Sequence, residues 1–266
     1  MLTVTLHDDV VRLAFSSARS RLLRYGVSAY VTRRALVDTG FPGIRRELLA
    51  WLATHPVDGA LITHAHEDHA GNVEALARQG LPLQMAPETE SQLRDFGSVG
   101  FYRRFCWGTP TDLRSPVIRF VHPALELLAA RGHSADHHVV WDAERETVFG
   151  GDLFIGVKVR VAHQHEDIRA QVIAVRSIAE MRPRRFFDAH RGPLENPVPQ
   201  LRAKADWMEE TIGEIEDRLR RGWPARAIRD DVLGREDFTG VASNGDYSRL
   251  AFVRSVIDST RRVPRE

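Results

Sequence analysis

The stretch 63-THAHEDHAGN-72 sets His64, His66 and His69 among Glu67 and Asp68, directly after the apolar run 59-GALI-62. Two readings compete for it: a polar turn closing a buried strand, or a metal grip. His64 and His66 are two positions apart, so on an extended segment their rings can converge on one ion. Asp68 and His69 follow the turn and can serve a second ion nearby. Imidazole and carboxylate donors suit zinc, iron or manganese. A lone HxH is common, whereas HxHxDH between a buried strand and a helix is specific, and the metal reading is preferred.

Working outward, "VTL", "VVRLAF" and "SAYVTRRALVD" mix β-branched and aromatic residues with polar ones and read as strands, the last ending at the turn Asp38-Thr39-Gly40. "PGIRRELLAWLAT" places Ile44, Leu48, Leu49 and Leu52 on one helical face behind Pro42. "GALIT" is a buried strand, and "GNVEALARQG" a helix closed by Gly80. "LPLQMA" and "PETESQLRDF" form a further strand and helix, and residues 97–116, aromatic and glycine-rich without periodicity, read as a loop or lid. Strands return in "VIRFV", "HHVVWD" and "ETVFGGDLF", followed by a helix over Ile168 to Met181 and "RRFFDAHRG". Strands alternating with helices indicate a layered α/β domain. Beyond "GPLENPVPQ", Leu201, Ala205, Met208, Ile212, Ile215 and Leu219 recur at helical spacing. Helices opened by Pro224 and spanning "DYSRLAFVRSVIDSTRR" follow, so the division expected is 1–200 and a helical appendage over 201–266.

The bulk numbers bound the function classes. The 266 residues, 43% hydrophobic, suffice for a sizeable core. A net charge of +1 gives no global attraction to nucleic acid or anionic membrane. Cys106 is the single cysteine, which excludes an internal disulfide or a CxxC metal knuckle. No apolar run is long enough to span a bilayer, and "MLTVTLHDDVV" carries no basic leader region, so a cytoplasmic location is expected. Nearly all basic residues are arginine; only Lys158 and Lys204 break the pattern.

Further donors sit where strands end: His133 in "RGHS", Asp152 in "GGDL" and His190 in "DAHRGP". A two-metal site needs a carboxylate to hold two cations against their repulsion, and Asp152 is the natural candidate. With Asp38 in "VDTG", these ordered motifs resemble the metallo-β-lactamase-fold hydrolase superfamily over residues 1–195, the glyoxalase II, lactonase and lactamase-beta-2-like branches in particular. The resemblance implies an αββα four-layer sandwich with the site at one edge of the paired sheets. It implies a first metal on His64, His66 and His133, and a second on Asp68, His69 and His190, with Asp152 bridging. Asp38 would steady the metal-bearing loops, as ligand histidines require. Arg131 and Arg191 depart from residues common at their places in relatives.

The chemistry so implied is hydrolysis by a hydroxide shared between two divalent cations, zinc first, with iron or manganese as alternatives. Asp68 is the catalytic candidate, accepting a hydrogen bond from the nucleophile and passing a proton to the leaving group. A small ester, thioester or lactone is the favoured substrate class. Tyr102 and Trp107 of "GFYRRFCWG" are candidates for an apolar pocket wall, and Arg103 and Arg191 for contact with an anionic group. Cleavage of single-stranded nucleic acid is the alternative; against it, residues 201–266 hold 13 basic and 13 acidic residues and no basic stripe. A metal-binding scaffold without turnover is the third reading, and a homodimer is the partner class left open for the tail.

Overall fold

The computed structural model describes residues 1–23 and 25–262; positions 263–266 of the expected appendage lie outside the described residues. The chain opens with β1 (Leu2–His7), β2 (Val10–Phe15), α1 (Ala18–Leu22), β3 (Val27–Thr32), β4 (Ala35–Val37), α2 (Arg45–Thr54) and β5 (Gly59–Leu61). It continues through α3 (Glu67–Ala70), α4 (Val73–Arg78), β6 (Leu83–Gln84), α5 (Pro87–Arg94) and α6 (Phe101–Trp107). Next come β7 (Glu126–Ala129), β8 (His138–Asp142), β9 (Thr147–Phe149), β10 (Ala162–His163), α7 (Ile168–Glu180), β11 (Arg185–Asp188) and β12 (Gly192–Pro193). The described chain closes with α8 (Pro197–Arg220), α9 (Ala225–Val232), α10 (Phe238–Ala242), β13 (Tyr247–Ser248) and α11 (Arg249–Arg262).

Two compact units form. The first comprises 1–129, 136–152 and 184–195, and the second 130–135, 153–183 and 196–266. In the first unit, β1 to β6 make one sheet in sequence order, antiparallel from β1 to β4 and parallel from β4 to β6. The second sheet runs β12-β11-β9-β8-β7, with only β9 and β11 parallel. Side chains alternate across a strand, and both faces of the first sheet are apolar. Leu13, Phe15, Val27, Ala29, Leu36 and Ala60 pack with Leu48, Leu76, Leu93 and Trp107 of the helices. Their neighbours Val10, Tyr30, Val37 and Leu61 pack instead with Val140, Phe149 and Phe187 of the second sheet. Each buried valine, leucine or phenylalanine among them contributes roughly 1.5–3 kcal/mol. One helix layer and two sheet layers thus lie within this unit.

The second unit is largely helical. Leu201, Ala205, Met208, Ile212 and Ile215 of α8 are buried, and the last three share a core with Ile168, Val172, Ile228, Phe252 and Val256. Asp167 caps α7 by accepting from the N–H groups of Arg169 and Ala170. Arg176 pairs with Glu209 at 2.7 Å, and β10 pairs antiparallel with β13. The helices beyond residue 200 therefore share a core with α7.

Four local expectations differ from what forms. "SAYVTRRALVD" is two strands, because Arg33 and Arg34 turn the chain at φ +46° and +60°. "VIRFV" makes only a bridge between Arg119 and Leu83. The segment 97–116 contains the helix α6 rather than loop alone, with Cys106 and Trp107 buried. Its helix signal is weak because Gly100 offers no capping side chain. The long helix α8 begins at Pro197, ahead of Leu201.

Candidate metal centre

β4 and β5 run parallel, as do β9 and β11, so within each sheet the carboxyl ends of a strand pair open on one edge. Asp38 follows β4, His64 and His66 follow β5, Asp152 follows β9, and His190 follows β11. Asp68 and His69 lie on α3. Burial at this edge is deep: His64 and His69 are fully buried, and Asp68 and Asp152 are nearly so.

The turn after β4 organises the loop that carries the candidate donors. Asp38 Oδ1 accepts from the Thr63 N–H at 2.8 Å, the Thr63 hydroxyl bonds both carboxylate oxygens, and His69 Nδ1 lies 2.9 Å from Oδ2. Asp38 does this at φ +60°, a left-handed conformation that a non-glycine residue adopts only under constraint. The Thr39 N–H and hydroxyl donate to the His69 carbonyl, at 2.6 and 2.9 Å, and Asn72 Nδ2 donates to the carbonyls of Thr39 and Phe41. Gly71 is required where it stands, since a Cβ there would lie 2.4 Å from Pro42 Cδ and 2.3 Å from the Glu67 carbonyl oxygen.

With Nδ1 of His69 on Asp38 and Nδ1 of His190 at 2.7 Å from the Gly26 carbonyl, each Nε2 turns toward the carboxylates. Both Nε2 atoms lie 3.1 Å from Asp152 Oδ1, and they lie 3.8 and 3.6 Å respectively from Asp68 Oδ2. One ligand atom from each of Asp68, His69 and His190 falls within 4.8 Å of the others, and the same holds for His64, His66 and Asp152. Asp152 thus stands between two donor groups. Burial and the imidazoles of His69, His66 and His137 hold His64 well below the ordinary histidine range. Burial also opposes charge on His69 and His190, but Asp152 and Asp68 outweigh it, raising His69 well above its usual value and His190 to about 9. Imidazoles crowded by carboxylates in a buried pocket are the donor chemistry of a divalent cation site, and the residues present fit such ions. His133 belongs to the second unit, where its Nδ1 lies 3.3 Å from Glu166 Oε1.

The substrate-contact candidates are placed differently. Trp107 is buried against Phe41 and Tyr25, with ring centroids 5.0 and 6.2 Å away, and Tyr102 hydrogen-bonds Tyr25 through its hydroxyl. Arg103 forms a two-point ion pair with the buried Glu67, which lies between His66 and Asp68. Arg191 is exposed beside His190, its backbone N–H donating to Asp188.

Three residues hold the segments that carry the candidate donors although no spacing in the sequence marks them. Asp136 accepts from the Ala65 N–H, between the two ligand-spaced histidines, at 2.8 Å. His137 Nε2 accepts from the Asp152 N–H at 3.0 Å. Asp188 accepts from the His190 N–H at 2.8 Å, while its carbonyl takes the Tyr30 hydroxyl at 2.6 Å. The only prior signal was the clustering of polar residues after "GHS" and before "AH".

Comparison with known proteins agrees with this architecture. The family model of the metallo-beta-lactamase superfamily matches residues 24–190. A beta-lactamase-like protein 2 homolog of Caenorhabditis elegans is 26% identical over 81% of the chain and 69% of its own length. The hydroxyacylglutathione hydrolase of Pseudomonas entomophila is 27% identical over 64% of the chain and 69% of its own length. A metallo-beta-lactamase family protein from Thermus thermophilus superposes with a TM-score of 0.63 at 15% identity, covering 98% of this chain and 92% of the other. The chain belongs to the metallo-beta-lactamase superfamily and is a metal-dependent hydrolase of the α/β fold that defines it.

Proposed function

We propose that the chain is a dinuclear hydrolase acting on a small ester, thioester or lactone. The observation that carries this reading is the Asp152 carboxylate, whose Oδ1 lies 3.1 Å from both His69 Nε2 and His190 Nε2 while Asp152 also groups with His64 and His66. In this reading His64, His66 and His133 hold one cation, Asp68, His69 and His190 hold the other, and Asp152 joins them. Chain connectivity supports the place of His133. It lies in the turn between β7 and β8, three residues before Asp136, which itself holds the Ala65 N–H. Two divalent cations, zinc suiting the imidazole-rich donors, would supply there an acidified water and a Lewis acid for the developing oxyanion.

The chain's own residues do the rest. Asp38, Thr63 and the Gly26 carbonyl fix the rings of His69, His64 and His190. Asp68, buried on α3, would accept a proton from the nucleophile and return it to the leaving group. Arg191, exposed beside His190, is the cation available to an anionic substrate group. The name of the Pseudomonas entomophila relative describes cleavage of an acyl group from glutathione, which favours a thioester among the three classes. A cytoplasmic setting belongs to the same proposal, supported by the single, buried Cys106.

Metal analysis of the purified protein followed by an acyl-ester, thioester, lactone and single-stranded RNA panel tests the reading. It expects two ions per chain and turnover confined to the acyl substrates, abolished in Asp152→Ala. One ion or none at saturation, or cleavage of RNA alone, would overturn it.

A further inference from the structure

The fold treats the two carboxylates of residues 64–69 differently. Asp68 groups with His69 and His190, whereas Glu67 belongs to neither donor group. Glu67 is nonetheless buried, its side chain 1% exposed, and both its oxygens accept from Arg103 of α6. Nε donates to Oε1 at 2.7 Å, and a terminal guanidinium nitrogen donates to Oε2. A planar guanidinium matched to both oxygens of a carboxylate is a strongly directional ion pair. The fork of Arg103 thus faces a carboxylate of its own chain.

The pair joins a weak element to a firm one. α3 spans only Glu67–Ala70 and has no side chain capping its start. A helix of one turn does not hold itself in water, so its surroundings must hold it. The Ala65 N–H ahead of it is bound by Asp136, the His69 carbonyl takes the Thr39 N–H and hydroxyl, and the Gly71 N–H donates to the Gly40 carbonyl. Arg103 adds an anchor at the first helical residue, between His66 and Asp68. α6 is itself fixed. Tyr102, Arg103, Cys106 and Trp107 share one helical face, with Cys106 and Trp107 buried, while Phe101 and Arg104 are exposed. Trp107 packs on Phe41, and the Tyr102 hydroxyl donates to that of Tyr25. The next residue, Gly26, presents its carbonyl to His190 Nδ1 at 2.7 Å. One helix therefore touches both the start of α3 and the segment that steadies His190.

We infer that Arg103 is a positioning residue for the metal centre rather than a substrate contact: it sets the start of α3, and with it His66 and Asp68, and keeps the Glu67 carboxylate off the cations. The inference rests on the proposed reading of His66 and Asp68 as metal ligands. Without Arg103, a buried and unpaired carboxylate would stand between two donors, free to turn toward an ion and distort the geometry of the others. Loss of a group that orients a metal ligand lowers affinity by about 10- to 100-fold, and an anchor acting through the backbone belongs at the lower end.

The test uses the full chain loaded with cobalt(II), measuring affinity by chelator competition and the ligand-field spectrum, with circular dichroism confirming the fold. Parent, Arg103→Gln, Arg103→Lys, Glu67→Gln, the double variant Arg103→Gln/Glu67→Gln and Asp68→Ala are compared. Arg103→Gln and Glu67→Gln are each expected to lower affinity about tenfold and to shift the visible band. Arg103→Lys should recover part of both, because an ammonium keeps the charge but meets the carboxylate at one point. The double variant should lose no more than the worse single one, since both remove the same pair. Where Arg103→Gln does not fold, the comparison of Arg103→Lys with Glu67→Gln decides. If Asp68→Ala weakens binding while the Arg103 and Glu67 variants match the parent in affinity and spectrum, the inference is overturned and the proposed ligand reading stands. Losses that simply add in the double variant overturn it likewise. If Asp68→Ala itself leaves both unchanged, Asp68 is no ligand, and the inference falls with that part of the reading.

Discussion

Asp38 serves three donors at once from a strained backbone position, so its replacement separates charge from shape. Asp38→Asn keeps the size but removes the carboxylate that faces His69 Nδ1 and Thr63. Metal affinity is expected to fall about 10- to 100-fold, read by chelator competition; an unchanged affinity would show that the ring of His69 is held without it. Glu74 offers a test of stability remote from the metal donors. Burial alone would raise its carboxyl, but the N–H groups of Ser115 and Arg114, the Arg78 guanidinium and the Ser115 hydroxyl hold it down at about 2. A value depressed on folding stabilises the protein above the unfolded value, and this gain is lost as pH falls from 4.5, the ordinary value of a glutamate, through about 2. Glu74→Gln should therefore cost on the order of 2 kcal/mol at pH 7, measured by urea unfolding. The gap to the parent should close on acidification, and a gap constant with pH would contradict the cause assigned to it. The proposed ligands themselves were legible in the sequence, because His64 to His69 pack four candidate donors into one turn and Asp152 and His190 follow apolar strands. Asp136 and His137 were not, since their partners Ala65 and Asp152 are set by tertiary folding rather than by spacing.

Among the elements, α6 shows how an aromatic, glycine-flanked segment misleads. Its apolar residues lack a long periodic run, yet Trp107 is buried between Phe41 and Tyr25 and joins the helix layer to the first sheet. Trp107→Ala is expected to cost about 3–5 kcal/mol of unfolding free energy, as truncation of a core aromatic does. A loss below 1 kcal/mol in denaturant melts, coupled with a raised KM, would return this residue to the role of pocket wall. The strands whose two faces are both apolar were readable, as was α8 from its regular spacing. The two-residue strands β10 and β13 were not, because so short a pairing has no periodicity and exists only through its partner.

For the molecule as a whole, buried carboxylates and imidazoles gathered at one sheet edge mean that bound cations and folding are linked. Stripping the protein with chelator is expected to lower its thermal midpoint, and restoring zinc at a hundredfold over its Kd should return about 2.7 kcal/mol. An identical melting curve with and without metal would break that linkage. The scarcity of lysine has a separate use. Lys204 is 2% exposed and donates to the carbonyls of Leu153 and Phe154, the residues following Asp152, whereas Lys158 is exposed. An amine-reactive reagent therefore meets one open lysine in the native protein and a second only when α8 is released. Peptide mapping after a short labelling pulse should find Lys158 modified at once and Lys204 modified at the rate of opening. The buried ammonium thereby serves as a built-in reporter, converting a count of acylated lysines into a clock for the loosening of α8 from the segment that follows Asp152.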